Sequence, residues 1–180
     1  IRRHPVTREA FTELRDEHEA AIRAGDLSPR GTEDFITLSH ALDDSARILR
    51  WFDEVGSQLH SGDPLAAVIQ TRVIPLLEAE GRWTDVCRLY GDPARRLREK
   101  YEACMGPFEN RPQTELVLDE AMRNAVRDLI RNDAGTMYRA FLVADRKDEA
   151  GRIAAEARRL LPDEETENVL AEAAAAARSK

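Results

Sequence analysis

Between Met137 and Pro162 the chain reads MYRAFLVADRKDEAGRIAAEARRLLP. Apolar residues recur at helical spacing on both sides of the polar stretch Asp145-Arg146-Lys147, which predicts two short helices joined by a tight turn. The second helix carries alanine at 150, 154 and 157. Steps of four and three place these on one face, where a helix without bulk lies close against its neighbour. Pro162 closes the unit, because proline cannot continue a helix. A hairpin of this kind buries its apolar faces only by stacking on further helices.

The rest of the chain keeps the same period. From Thr7 to Ala24, apolar residues fall at Phe11, Leu14, Ala21 and Ile22, and the segment GDLSPRG from Gly25 stops that helix. Thr32 reads as the next N-cap, with Glu33 and Asp34 in the first turn, where the helix dipole favours negative charge. Phe35, Leu38, Leu42, Ala46, Leu49, Phe52, Val55 and Leu59 step by three or four. That predicts one long helix over 33–60, packed by a coiled-coil-like seam on the first. Asp63 and Pro64 suit the cap and first position of a third helix, 65–79, kinked at Pro75.

Shorter helices follow from Trp83 to Tyr90 and, after Gly91-Asp92-Pro93, from Pro93 to about Cys104. MGPFENRPQ at 105–113 is the strongest loop signal and a possible subdomain boundary. Helix resumes at Thr114, with a weak spot at Asn132-Asp133-Ala134-Gly135, and the last helix starts at Asp163 with an Ala-rich face suited to a cap. No apolar alternation marks a strand. The expectation is an all-α chain: a frayed end over 1–6, then a single domain over 7–180 built as a stack of antiparallel helical hairpins with about seven helices.

Signatures of chemistry are sparse. The P-loop, dinucleotide, zinc-protease, serine-hydrolase and calcium-loop motifs are all missing. The Glu-x-x-His pairs of a di-iron bundle are missing too, since Arg15, Thr37 and Ser57 precede His18, His40 and His60 by three. Neither a cofactor nor a metal is expected. Acidic residues number 34 against 27 basic ones, a net charge of −7, which argues against a duplex nucleic-acid binder. No apolar run reaches the roughly 18 residues of a membrane span. Cys87 and Cys104 lack CxxC spacing and read as buried free thiols of a reducing, cytoplasmic setting.

Two local clusters remain. On an unbroken helix His40 would share a face with Asp43 or Asp44, forming an imidazole–carboxylate pair. Its plain reading is a solvated pair; its sharper one is the polar centre of a small helical enzyme or ligand-binding protein. Trp51 sits beside the long seam as a second contact or an exposed anchor, and Trp83 reads as packing between hairpins. The basic run Arg95, Arg96, Arg98 and Lys100 is offset by Glu99 and Glu102 and reads as a solvated face.

The stretch 131–164 resembles a tetratricopeptide repeat. Phe141 takes the bulky first-helix position, Ala150 and Ala157 the two small positions of the second helix, and Pro162 the closing proline. Asp145 stands where the turn glycine is usual, Ala154 where the second-helix aromatic is, and Ala134 and Tyr138 at the first-helix Trp and Gly positions. A second echo runs from Leu76 to Pro93, with Gly81 in the turn and Tyr90 at the aromatic position. The resemblance implies a non-enzymatic module that binds a protein or peptide partner in a groove lined by first helices, with Asn132 and Arg139 pointing into it. A structural or oligomerising segment of a larger protein, with homo-oligomers, is the remaining expectation.

Overall fold

A computed structural model describes residues 5–26, 28–55, 65, 68, 71–109 and 116–179. Of the described residues 85% are helical, with no strand and nine α-helices among them. They are α1 (Pro5–Arg23), α2 (Pro29–Ala41), α3 (Ser45–Glu54), α4 (Ile74–Ala79), α5 (Trp83–Tyr90), α6 (Pro93–Glu109), α7 (Leu116–Val143), α8 (Lys147–Leu160) and α9 (Glu164–Arg178). Two compact units divide the chain, Ile1–Leu89 and Tyr90–Lys180.

Four helix ends share one turn chemistry. Gly25, Asp43, Gly81 and Asp145 have φ of 101°, 59°, 70° and 57°, the left-handed region. After α7, the Asp145 N–H donates to the Leu142 carbonyl at 3.1 Å and the Arg146 N–H to that of Phe141 at 2.8 Å. Donors at Gly25, Asp43 and Gly81 and their successors follow the same pattern, which satisfies carbonyls that a helix end leaves open. Glycine adopts this conformation freely, and aspartate is one of the few other residues that enter it.

In the first unit α1 packs along α2, α2 meets α3, and α3 touches α4. The turn at Asp43 corrects the expectation of one helix over 33–60: α2 ends at Ala41 and α3 begins at Ser45. The seam changes with it. Ala46 is exposed, while Ile36, Ile48 and Trp51, all off the expected seam, are buried. Phe35 and Trp51 meet with ring centroids 6.1 Å apart at 57°. The N-cap of α2 is Ser28, whose Oγ accepts from the Gly31 N–H at 3.3 Å, and Thr32 lies buried inside the helix. Pro75 falls in the first turn of α4, where its missing N–H costs nothing, and so starts a helix rather than kinking one. The expected caps Asp63 and Pro64 lie outside the described residues.

Thr32 Oγ1, Ser39 Oγ and Trp51 Nε1 are buried without a hydrogen-bond partner among the described residues. A buried polar group left unpaired costs about 1–3 kcal/mol. Thr32→Val and Ser39→Ala are therefore each expected to raise stability, by about 1 kcal/mol. Urea unfolding midpoints check this; a fall in midpoint would mean that the hydroxyls are bonded to ordered water.

In the second unit α7 packs against α6, α8 and α9, α6 also packs on α8, and α8 meets α9 only lightly. Its core holds Leu97, Ile130, Met137, Phe141, Ile153 and Leu170. Ala150, Ala154 and Ala157 are buried on α8. A Cβ added at Gly135 would lie 2.6 Å from Val169 Cγ1, so α9 lies close enough to α7 that any larger residue at 135 would push the Val169 side chain aside. That packing carries α7 through the expected weak spot at 132–135. Asp163 caps α9, its Oδ1 accepting from the Thr166 N–H at 3.0 Å and Oγ1 at 2.8 Å.

The loop expected from Met105 is helical as far as Glu109, with Pro107 inside α6 only two residues from its end. Its lost hydrogen bond falls in the last turn, where little helix remains to disrupt. The two units divide between Leu89 and Tyr90, just before Gly91-Asp92.

Candidate interaction surface

Asn132, Thr136, Arg139 and Val143 follow one another at steps of four, three and four on α7, which aligns them along one face. Asn132 and Thr136 are exposed; Arg139 and Val143 are half-buried. Ion pairs border this stripe on both sides. Asp133 pairs with Lys100 of α6. Arg131 Nη2 lies 2.5 Å from Asp163 Oδ2 at the start of α9 and Nη1 lies 2.6 Å from Asp128 Oδ1. Nearer its N-terminus, α7 leaves Met122 and Leu129 exposed at 60% and 47%, seven residues apart. Asn132 and Arg139 are the two positions the tetratricopeptide resemblance singles out; the helical period sets Thr136 and Val143 on the same face.

His40, Asp43 and Asp44 do not form the expected constellation, because the helix that would have put them on one face ends at Ala41. His40 is half-buried in the last turn of α2, and Asp43 is exposed in the left-handed turn position. Asp44 turns to α1, where its Oδ2 accepts from Arg15 Nη1 at 2.9 Å. Trp51 is core, 2% exposed, rather than a surface anchor. Trp83 is buried as expected, and neither cysteine forms a disulfide, Cys87 being buried and Cys104 half-buried. Among the described residues no group of three or more His, Cys, Asp or Glu side chains could hold a metal ion. No described helix is long and apolar enough to cross a membrane.

A charged cleft of about 370 Å³ opens between α1 and α3, lined by Asp16, Glu19, Ala20, Arg23, Arg47 and Arg50. At its base Glu19 is 5% exposed, a burial that a carboxylate tolerates only when paired. It is paired twice, with Arg47 and with Arg23 Nη2 at 3.1 Å. Arg47 Nη2 also reaches Asp16 Oδ1 at 2.9 Å, and Arg23 Nη2 reaches Glu54 Oε2 at 3.3 Å. Nothing local in the sequence announces this network, since its partners lie on separate helices.

No protein-family profile matches the chain, and no curated protein or solved structure shows significant similarity to it.

Proposed function

We propose that the chain is a non-enzymatic protein–protein interaction module of the tetratricopeptide-like kind. The observation that carries this reading is the stripe of α7 exposed at Asn132 and Thr136, framed by ion pairs while other faces of that helix pack on three others. A helix packed on both its hairpin partner α8 and the following α9, with α8 and α9 barely touching, is the order that stacked hairpins require.

The turn chemistry supports a repeated unit as well. Arg82 Nε donates to Asp85 Oδ2 at 2.9 Å and Arg146 Nε to Glu149 Oε1 at 3.0 Å, each just after a left-handed turn residue. Leu77, Val86 and Leu89 occupy buried positions around the first turn that Phe141, Ala150 and Ile153 occupy around the second. The partner is a protein or peptide that reads polar side chains at Asn132 and Thr136.

The test is affinity capture with the folded chain as bait, beside Asn132→Arg and Thr136→Arg. Both substituted positions are exposed, so folding is expected to survive. A partner retained by the native chain and bound about tenfold more weakly by both variants is the expected result. Equal retention by all three baits, or none above background, would overturn the reading.

A further inference from the structure

Arg50 is exposed on α3 and lines the α1–α3 cleft. In a chain with more acids than bases, an arginine without an acidic partner runs against the prevailing balance. The two acids placed to pair with it along the helix are Asp53 and Glu54, three and four residues on. Both are engaged elsewhere: Asp53 Oδ1 lies 2.6 Å from Arg82 Nη2, and Glu54 Oε2 lies 3.3 Å from Arg23 Nη2. Arg50 is left with no ion-pair partner among the described residues.

The other guanidiniums of the cleft are fixed in place. Buried Glu19 holds Arg47 and Arg23, and those contacts use Nε and Nη2 of Arg47 but only Nη2 of Arg23. Each guanidinium has five N–H donors, so further donors remain for a ligand. Arg23 and Arg47 are offset by Glu19, Asp16 and Glu54, so Arg50 is the lining cation whose charge no carboxylate meets among the described residues.

We propose that this cleft binds a carboxylate, with Arg50 as the contacting fork and Arg23 and Arg47, set by Glu19, as flanking donors. The single unmatched guanidinium of Arg50 suits one anionic group, and its planar fork matches a carboxylate bidentately. The carboxylate belongs either to a small free acid or to a peptide. The inference does not depend on the α7 stripe, which lies on another helix.

The experiment uses the full chain and observes arginine Nε–Hε resonances by NMR. Acetate is titrated against chloride at matched ionic strength. The expected result is a saturable shift of the Arg50 signal and of the Ala20 and Arg23 amides with acetate alone. In Arg50→Lys the amide shifts are expected to need about tenfold more acetate, because an ammonium lacks the fork. An acetylated diglycine with a free C-terminal carboxylate, set beside its amide, separates the two sources. Tighter binding of the free-acid peptide than of acetate assigns a peptide ligand; equal binding assigns a small acid. Identical responses to acetate and chloride, or unchanged amide shifts in Arg50→Lys, would overturn the proposal.

Discussion

Replacing Phe141 by alanine is expected to remove about 3–5 kcal/mol of stability. The ring is fully buried, with the Tyr90 ring centroid 6.5 Å away at 38° and the Arg146 guanidinium carbon 4.8 Å from its centroid. Phe141 also accepts the Arg146 N–H at its carbonyl, so the same residue fills the core and closes the α7–α8 turn. Truncation leaves a cavity where α7 meets α8 and strips an apolar partner from Tyr90. Phe141→Leu keeps most of the volume and is expected to cost about 1–2 kcal/mol. Urea unfolding gives the total, and hydrogen exchange locates it, with the largest loss of protection at the α8 amides of Ala150 and Ile153. A loss below about 1 kcal/mol would mean that the hairpin is not packed around this ring.

Phe141 was legible in the sequence because the information that places it is local. Its spacing to Asp145 and to the alanines of α8 fixes both the turn and the buried face. Other parts were hidden for a physical reason. The break at Asp43 is invisible to apolar periodicity, since Leu42 and Leu49 fit a continuous helix as well as two separate ones. Left-handed turns at Gly25 and Gly81 announce themselves through glycine and the one at Asp145 through the polar run it opens, whereas Asp43 sits in a stretch whose apolar spacing reads as unbroken helix.

The helix at Pro29 starts four residues before the position that a Thr32 cap implies, because Ser28 and Thr32 are both good caps and only packing decides between them. Charge pairing was the least legible feature. Arg47 meets Glu19, and Arg131 meets Asp163, across 28 and 32 residues of sequence. Single-chain patterns give no register for such pairs, so the α1–α3 cleft had no sequence signal at all.

Two long-range pairs, Arg98–Glu156 and Arg131–Asp163, make the second unit sensitive to acid. The Glu156 carboxylate accepts hydrogen bonds from Arg159 and Arg98, which hold its pKa down from 4.5 to about 2 against the opposing effect of burial. Asp163 is lowered from 3.8 to about 2, first by its hydrogen bond from Arg131 and then by Thr166 at the α9 cap. In both cases the folded pKa lies below the unfolded one, so the native state is favoured when the carboxylate is ionised. That stabilisation is complete above the unfolded pKa and fades as pH falls from about 4.5 towards 2.

After allowance for solvent screening, each group is expected to contribute about 1–2 kcal/mol at neutral pH, the pair about 2–4. The arginines stay charged throughout, so the midpoint shift belongs to the carboxylates. Urea midpoints compared at pH 7 and pH 3 should therefore fall in the native chain. Glu156→Gln and Asp163→Asn should each lower the neutral-pH midpoint and flatten the slope between the two. A variant that loses stability equally at both pH values would show that its side chain acts through packing, and the charge-based account of the α6–α8 and α7–α9 contacts would fail.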